Sequence, residues 1–326
     1  MTFYENLVTE TQMRGMMARG YFSGGQSAYS MTKKNPLPYE EQLALYLQKL
    51  DEADCVIVGG ASGLSAAGGG DFYYEDNASF RKYFGKYAQK YGFKGAFDGM
   101  ISNRFPTREE HWGYVATFLH TTQTAPVREP YLDLNILLRG KDFHILTTNQ
   151  DTQFVKLYPE DLVSEIQGDN RFFQCSRQCT DDIWDAVEPV RQMIEAMGDD
   201  TSVPTELIPH CPHCGAEAFP WVRGYGNFLQ GKQYEEQYRK ISDYLESHKN
   251  KKILFLEFGV GRMTPMFIQE PFWQLTSGLK DAYYISVNDK YALLPEFIED
   301  KGMVILGDIG TILEDLRKAK KRESIN

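Results

Sequence analysis

The sequence predicts an α/β fold in which a Rossmann-like, doubly wound parallel sheet carries a helical insertion and a small zinc-binding lobe. Three observations lead to this class. Short apolar runs alternate with amphipathic segments, which is the pattern of strands and crossover helices. A glycine-rich turn follows the first apolar run, CVIVGG. Two regions interrupt the alternation, one rich in aromatic and charged residues and one containing paired cysteines.

Each predicted strand is an apolar run that follows a helical segment. The first unit is PYEEQLALYLQKLDEA with CVIVGG. The further units are YLDLNILLRGK with DFHILTTN, KISDYLESHKNK with KILFLEFGVG, SGLKD with AYYISVND, and LLPEFIEDK with GMVILGD, and the helix TILEDLRKAKK ends the pattern. Such alternation predicts a mostly parallel sheet with helices on both faces.

These units divide the chain into four predicted parts. The first part lacks steady periodicity, although LVTETQMRGMMA is a candidate short helix. The assignment is an N-terminal extension at residues 1–36, a Rossmann-like domain at residues 37–71, 124–171 and 231–326, a helical module at residues 72–123 and a zinc-binding lobe at residues 172–230.

Composition narrows the functional classes. The chain of 326 residues has a formal net charge of -10 and a pI near 5.2, which disfavours a nucleic-acid partner because that role needs a concentrated positive surface. No window approaches the apolar length of a membrane span, and the N-terminus lacks the pattern of a signal peptide. We therefore expect a cytoplasmic protein without a membrane partner.

The first apolar run leads into VIVGGASGLSAAGGGDF, residues 56–72, where glycines follow a strand directly. Glycine permits close approach and positive φ, so such a turn can present backbone N–H groups to a phosphate. The turn is not a strict GxGxxG motif, and a flexible loop without a ligand is the alternative.

A second polar cluster, ILTTNQD, ends another predicted strand. Ligands of open α/β sheets bind outside the carboxyl ends of strands, so Asn149, Gln150 and Asp151 are placed to meet one. The alternative is that Asn149 and Asp151 cap the following turn.

Four of the five cysteines form two close pairs. Two thiolate pairs that reach one ion make a closed tetrahedral zinc site, which is structural rather than catalytic. The alternatives are four reduced thiols in a loop, or a site in which His210 or His213 replaces a weak ligand. The fifth cysteine, Cys55, is expected to be a buried strand residue. The predicted zinc ligands are Cys175, Cys179, Cys211 and Cys214.

In this order the elements resemble the sirtuin family over residues 38–320. GASGLSAAGGGDF is similar to the family's GAGIS…SGIPDFR phosphate and ribose loop, TTNQD to its TQNID, and the paired cysteines to its zinc module. EFGVG takes the place of the GTS turn, SVN that of the Asn turn near the adenosine ribose, and LGDIGTILEDL that of the closing Gly-Asp turn. The resemblance implies NAD as substrate and these cofactor-binding residues: Gly60, Ala61, Ser62, Gly63, Leu64, Ser65, Asp71, Phe72, Gln150, Gly259, Val260, Gly261, Asn288, Asp308 and Ile309.

Three departures from the deacetylating sirtuins narrow the resemblance. Gln167 stands where they carry the catalytic histidine, Tyr73 stands where an arginine is usual, and the first cysteine pair has one extra residue. With TTNxD, IQG, QCSxxC, LIPHCPxC, EFGVG and TPxFI followed by PFW, the chain is similar to the class M sirtuins, a macrodomain-linked microbial branch. That branch implies transfer of ADP-ribose to a lipoylated glycine-cleavage-H-like carrier protein, with a macrodomain hydrolase as functional partner.

The glutamine fits such a transfer chemically. A histidine can take a proton from a ribose hydroxyl at neutral pH, whereas a glutamine amide can only orient groups by hydrogen bonds. We assign Asn149 and Gln167 to positioning the ribose and an acceptor carboxylate, and Asp151 to the nicotinamide side of the pocket. The alternatives are a weak protein deacylase, an NAD glycohydrolase and a catalytically silent NAD sensor.

Other polar residues receive secondary assignments. Arg262 is a candidate partner of a phosphate or an acceptor carboxylate, with a solvent-exposed arginine as the alternative. His111, His120 and His144 are expected to be structural. The aromatic run around Trp273 is expected to pack in the core, with an exposed partner-binding patch as the alternative.

Overall fold

The computed structural model describes residues 1–19, 29–34, 36–73, 75–100 and 105–323. Its strands are β1 (Cys55–Gly60), β2 (Asp142–Thr147), β3 (Val163–Glu165), β4 (Gly168–Cys175), β5 (Ile183–Asp185), β6 (Ala218–Val222), β7 (Ile253–Phe258), β8 (Ala282–Asn288) and β9 (Gly302–Leu306). Its helices are α1 (Phe3–Arg19), α2 (Tyr39–Glu52), α3 (Ser62–Ser65), α4 (Ala78–Tyr91), α5 (Ala96–Met100), α6 (Arg108–Thr124), α7 (Glu129–Leu137), α8 (Val187–Met197), α9 (Lys232–His248), α10 (Gln269–Gly278) and α11 (Ile309–Glu323). None of these helices is both long and apolar enough to cross a bilayer.

Six parallel strands of the described chain form the main sheet, in the order β3-β2-β1-β7-β8-β9. β1 lies in the middle and pairs along its whole length with both β2 and β7. The chain first adds strands on one side of β1 and then crosses to the other side. In open α/β sheets a ligand crevice forms at such a switch point. The predicted doubly wound parallel sheet is confirmed.

Helices cover both faces of this sheet because each central strand is apolar on both of its sides. Val56 and Val58 point into a core with α2, α7 and α11, whereas Cys55 and Ile57 point into a core with α9 and α10. All four side chains are fully buried. This alternation explains why CVIV is a continuous apolar run, and it confirms the expected burial of Cys55.

Two elements of the sheet domain differ from the sequence-based expectation. β3 belongs to none of the predicted units, since its three residues are too few to show a periodic pattern. LLPEFIEDK is expected to be a crossover helix, but it forms only a 3₁₀ turn at Glu296–Ile298. Pro295 precedes that turn and forms an antiparallel bridge with Met31, which holds the segment extended.

A second, smaller domain combines the two regions that interrupt the alternation. The antiparallel strands β5, β4 and β6 form its sheet, and α4, α5, α6 and α8 form its helical part. Its core joins Phe84 and Trp112 of the predicted helical module to Phe173 and Met193 of the predicted zinc-binding lobe. Trp112 meets Phe173 edge-on, with ring centroids 5.8 Å apart. The two predicted units therefore share one hydrophobic core.

The N-terminal segment packs on the larger domain. Tyr4 and Val8 of α1 are buried in the core beneath α9 and α10. Further along, the Glu296 N–H donates to the Ser30 carbonyl at 2.9 Å. The predicted extension therefore contributes side chains to the core of the sheet domain.

Candidate active site

A cleft of about 530 Å³ opens at the carboxyl ends of β1, β2, β7 and β8. The turns after these strands form one side of it, and Tyr73, Phe97 and Phe118 form an aromatic side that belongs to the second domain. Many predicted site residues line this single cleft. They are Ser62, Gly63, Ser65, Asn149, Gln150, Asp151, Gln167, Gly259, Val260, Gly261 and Asn288.

Two glycine turns touch each other at the cleft surface. Gly63 follows β1 in α3, and Gly259 follows β7 with a φ of 70°. The Gly63 N–H donates to the Gly259 carbonyl at 3.0 Å, and a Cβ added to Gly63 would lie 2.7 Å from the Gly259 Cα. Only glycine permits this approach, because the opposing atoms are backbone and cannot rotate away. The contact joins two predicted NAD-binding turns into one surface.

Asn149 is held firmly at the end of β2. Its Nδ2 atom lies 3.0 Å from the Ala61 carbonyl oxygen, 3.0 Å from Ser65 Oγ and 3.1 Å from the Tyr131 hydroxyl. Its backbone N–H donates to Thr147 Oγ1 at 2.9 Å. Since the amide nitrogen has two hydrogens for three acceptors, its hydrogen-bonding capacity is fully used. These contacts fix the side chain in one orientation.

Asp151 forms a buried ion pair beside Asn149. Its Oδ2 atom accepts hydrogen bonds from Ser65 Oγ at 2.5 Å and from Arg128 Nη1 at 3.1 Å. Ser65 Oγ also lies 2.9 Å from the Tyr131 hydroxyl. Burial, and then the charge of Asp151, raises the pKa of Tyr131 well above its ordinary value, so this hydroxyl stays protonated. Sequence reasoning missed Arg128 and Tyr131 because neither belongs to a motif.

Gln167 lies in the turn between β3 and β4. Its carbonyl accepts hydrogen bonds from the Arg223 N–H at 2.8 Å and from Gln150 Nε2 at 3.0 Å. Gln150 also donates to the Arg223 carbonyl at 3.1 Å. The next residue, Gly168, has a φ of 87°, and a Cβ there would lie 2.0 Å from the Trp221 carbonyl oxygen. Gln150 therefore ties the Gln167 turn to the end of β6.

Three buried polar atoms on this side of the cleft have no hydrogen-bond partner. They are Gln167 Nε2, Asn170 Oδ1 and Arg223 Nε. All three residues line the cleft. An unpaired buried polar atom costs about 1–3 kcal/mol, and native proteins hold few of them. Their concentration here indicates a place where a ligand supplies the missing partners.

The guanidinium of Arg223 rests among three aromatic rings. It lies 5.0 Å from the ring centroid of Phe228, 5.4 Å from that of Phe267 and 6.0 Å from that of Tyr234. Aromatic faces attract a cation without neutralising it. Among the residues that the structure describes, Arg223 has no carboxylate partner. An unneutralised positive charge therefore belongs to a cleft residue whose backbone contacts Gln167.

Glu257 is fully buried beneath the turn that follows β7. It accepts hydrogen bonds from the Val260 N–H at 2.9 Å, the Tyr284 hydroxyl at 2.7 Å and the Ser286 hydroxyl at 2.6 Å. Burial raises the pKa of this carboxyl group. Asn288, at the end of β8, donates to the Val260 carbonyl at 3.1 Å. The backbone of Val260 is thus held on both its sides.

Arg262 also lines the cleft, but its charge is engaged within the protein. Its Nη1 atom donates to Gln269 Oε1 at 2.8 Å, and its Nη2 atom lies 4.0 Å from Glu270 Oε1. The side chain is only 7% exposed. The alternative of a solvent-exposed arginine is therefore wrong.

Some predicted NAD-binding residues are not among those that line the cleft. Asp308 caps α11, since its Oδ1 atom accepts hydrogen bonds from the Thr311 N–H at 2.7 Å and from its hydroxyl at 2.8 Å. Phe72 is buried against Phe84, with ring centroids 5.8 Å apart. The side chain of Asp71 lies outside the described part of the structure. Gly60, Ala61, Leu64 and Ile309 are buried within the sheet domain.

The four paired cysteines converge in the second domain. The Sγ atoms of Cys175, Cys179, Cys211 and Cys214 all lie within 4.8 Å of one another. Two Sγ pairs are 3.6 Å apart, which is close to the sulfur separation of about 3.8 Å in a tetrahedral zinc site. His210 Nδ1 lies 2.7 Å from the Ile208 carbonyl, and His213 Nε2 lies 3.3 Å from an oxygen of Asp182. The four cysteines therefore fit zinc without a histidine ligand.

The remaining candidate histidines do not line the cleft. His144 Nε2 lies 2.9 Å from Ser164 Oγ, and burial lowers the pKa of His144 to about 3. His111 Nε2 lies 3.1 Å from the Tyr225 hydroxyl, and burial lowers the pKa of His111 to about 4. Burial also lowers the pKa of His120. Trp273 is fully buried, so its expected place in the core is confirmed.

Solved structures share this architecture. A Sir2 homologue in complex with NAD superposes with a TM-score of 0.54 at 13% identity, covering 92% of this chain and 98% of that one. A Sir2 homologue variant in complex with ADP-ribose gives a TM-score of 0.52 at 13% identity, covering 86% and 98%. At this identity the likeness establishes the sirtuin fold. No protein-family model matches the chain.

Sequence similarity identifies the family more specifically than the shared fold does. A protein ADP-ribosyltransferase of Staphylococcus aureus (strain Mu50) is 31% identical over 270 residues, covering 81% of this chain and 83% of that protein. The chain belongs to the sirtuin-type protein ADP-ribosyltransferases. A probable bifunctional ADP-ribose hydrolase/ADP-ribosyltransferase of Fusarium oxysporum f. sp. cubense is 28% identical to this sirtuin-type enzyme over 285 residues. That match covers 82% of this chain and 46% of the fungal protein.

Proposed function

We propose that this sirtuin-type ADP-ribosyltransferase binds NAD in the cleft and transfers ADP-ribose to a carboxylate of a lipoylated, glycine-cleavage-H-like carrier protein, releasing nicotinamide. The observation that carries the proposal is the group of unpaired polar atoms on Gln167, Asn170 and Arg223. The group combines one cation with two amides, and none of them takes up a proton at neutral pH. It suits an acceptor whose nucleophilic oxygen is already an anion.

The joined glycine turns are proposed to bind the phosphates of NAD. Gly63 and Gly259 leave backbone without side chains at the cleft surface, and Ser62 and Gly261 extend that surface. Such turns let N–H groups approach a pyrophosphate closely. We assign Asn288 to the adenosine side, at the end of β8. The fold shared with Sir2 homologues in complex with NAD and with ADP-ribose supports this placement.

The network after β2 is proposed to hold the nicotinamide end. Asn149 is fixed by Ser65 and Tyr131, and Asp151 is paired with Arg128. Polar groups that are fixed beforehand stabilise developing charge without reorganising during the reaction. We assign Asn149 to the ribose and Asp151 to the nicotinamide-side pocket.

The proposed transfer needs no general base. The bond between ribose C1′ and the nicotinamide nitrogen breaks, and its electron pair leaves with the pyridinium, which becomes neutral nicotinamide. A carboxylate oxygen of the acceptor forms the new bond to C1′, so the two charges cancel and no proton moves. Arg223 binds the acceptor carboxylate, and Gln167 orients it. Deacylation would need an activated ribose hydroxyl, which a glutamine cannot provide.

The cellular compartment and a functional partner are also proposed. Reduced thiolates suit a zinc site in a reducing compartment, so we assign the protein to the cytoplasm. A macrodomain hydrolase, which removes the modification, is proposed as the functional partner. A purely hydrolytic NAD glycohydrolase is the second candidate, because water reaches an open cleft.

The test compares Gln167→Ala, Arg223→Gln and the exposed control Arg239→Gln with the wild type, using labelled NAD and carrier protein with and without lipoyl groups. Modification is scored by intact mass. The first two variants should lose more than about tenfold in transfer rate, a barrier change of about 1.4 kcal/mol, and the control should retain it. Robust deacetylation of acetyl-lysine peptides without carrier modification contradicts the proposal. Free ADP-ribose released equally with and without carrier supports the glycohydrolase instead.

A further inference from the structure

The first helix contacts the chain just beyond the cleft wall formed by residues 259–264. The Tyr4 hydroxyl donates to the Phe267 carbonyl at 2.9 Å, and the Tyr4 N–H donates to Ser242 Oγ at 3.0 Å. Tyr4 is fully buried. Phe267 follows the cleft-lining residues Gly259–Thr264 by three positions. α1 therefore holds the end of this wall by a directed hydrogen bond as well as by apolar packing.

Two series of side-chain contacts connect Tyr4 with Arg223. The ring of Phe267, whose carbonyl Tyr4 holds, lies 5.4 Å from the Arg223 guanidinium. The ring of Tyr4 lies 6.4 Å from that of Tyr238, which in turn lies 4.9 Å from that of Tyr234. Tyr234 is the ring 6.0 Å from the guanidinium. Two of the three rings around Arg223 are thus supported from the side of α1.

Among the described residues, no carboxylate forms an ion pair with the Arg223 guanidinium. Its orientation is therefore determined by the ring contacts described above. Its Nε atom is buried without a hydrogen-bond partner, so the direction of the charge depends on where the surrounding rings lie. A shift of Phe267 changes the packing on one face of the cation. We propose that Tyr4 is a positioning residue for Arg223, acting through Phe267. The role of Arg223 in binding the acceptor rests on the proposed function, whereas its support by Tyr4 does not.

The decisive variant is Tyr4→Phe, which removes the hydroxyl and keeps the ring. The matched control is Tyr46→Phe in α2, because Tyr46 is also fully buried but its hydroxyl has no hydrogen-bond partner. Hydrogen exchange is followed by mass spectrometry in peptides that cover residues 259–268. Tyr4→Phe should accelerate exchange in these peptides by about three- to tenfold, since an unpaired buried carbonyl favours local opening. Tyr46→Phe should leave it unchanged.

A double-mutant cycle then tests the connection to Arg223. Tyr4→Phe should raise KM for the carrier protein by about three- to tenfold with kcat and NAD affinity within about twofold of wild type. In the background of Arg223→Gln the same change should have little further effect, because residues that act through one another are not additive. Independent, additive effects of the two substitutions overturn the inference.

The outcomes separate this inference from the proposed function. If Arg223→Gln leaves transfer intact, the proposed acceptor site fails, and the exchange measurement alone decides on Tyr4. If Arg223→Gln impairs transfer while Tyr4→Phe behaves like Tyr46→Phe in both assays, the acceptor site stands and the positioning role of Tyr4 is refuted. Faster exchange in Tyr4→Phe with a coupled rise in KM supports both.

Discussion

Substituting Gly63 by alanine should disrupt the joined turns with the smallest possible side chain. The added Cβ would lie 2.7 Å from the Gly259 Cα and 2.8 Å from the Gly259 carbonyl oxygen. Both are backbone atoms, so no rotamer change relieves the overlap. The two turns must separate, and the hydrogen bond from the Gly63 N–H to the Gly259 carbonyl stretches or breaks.

The magnitude follows from the overlap and the lost hydrogen bond. Forced overpacking costs about 1–3 kcal/mol of stability, and a lost buried hydrogen bond adds about 1 kcal/mol. The control is Gly85→Ala in α4, where an added Cβ meets no atom within 4 Å. That change should stabilise the helix by about 0.5–1 kcal/mol, because alanine favours a helix over glycine.

The assay measures NAD affinity by calorimetry and unfolding by denaturant titration in the same buffer. Gly63→Ala should weaken NAD binding by more than about tenfold, since the displaced backbone lies on the surface that we propose binds the NAD phosphates. Gly85→Ala should bind NAD as the wild type does. Undiminished NAD affinity in Gly63→Ala, with the fold intact, would refute the assignment of this turn to NAD.

Three further predictions follow from buried charges and metal ligands. Arg128→Met should lower the free energy of unfolding by about 3–5 kcal/mol, because it leaves the buried carboxylate of Asp151 without its cation; denaturant titration measures this. His144→Gln should flatten the loss of stability between pH 6.5 and pH 3. The pKa of His144 is lowered to about 3, so below pH 6.5 the unfolded chain binds a proton that the folded one refuses, and stability falls by up to about 1.4 kcal/mol per pH unit. Cys211→Ser should abolish stoichiometric zinc, measured by elemental analysis, and unfold the lobe around it.

A specific result would contradict each of these three predictions. Arg139→Met, a surface change, should cost little by comparison, so an equal cost for Arg128→Met would argue against a buried pair. Parallel pH profiles for His144→Gln and the wild type would mean that His144 is not held neutral. Wild-type protein purified without chelator and free of zinc would rule out the metal site.

The sequence was sufficient for five of the six strands of the main sheet and for the turns that line the cleft. CVIV and ILFLEF are apolar on both faces because the sheet is covered on both faces, and glycine follows each strand where backbones meet. It was insufficient for the side chains that complete the site. Arg128 and Arg223 lie in segments without periodicity or motif, and only long-range folding brings them to Asp151 and Gln167.

The domain organisation also could not be predicted from local sequence patterns. Residues 72–123 and 172–230 differ in composition and are separated by two strands of the main sheet, β2 and β3, so the local sequence pattern divides them. Their joint core depends on contacts such as that between Trp112 and Phe173, which lie far apart in sequence. Burial of aromatic area across the two segments joins them, and no sequence window reports it.

The charged groups that line the cleft restrict the chemistry of the acceptor more than the shape of the cleft does. An acceptor that must lose a proton needs a base beside it, and none of the described cleft residues is a histidine. Of the two aspartates there, Asp151 is neutralised by Arg128, and Asp289 lies after β8 beside Lys290. Gln167 instead contacts the backbone of Arg223, whose guanidinium has no carboxylate partner among the described residues. Replacing the amide by an acid, Gln167→Glu, should therefore inhibit transfer more strongly than Gln167→Ala, since it would place a second carboxylate in the cleft that competes with the acceptor for Arg223. A carrier-modification rate for Gln167→Glu that equals or exceeds that of Gln167→Ala would show that the acceptor does not bind there as an anion.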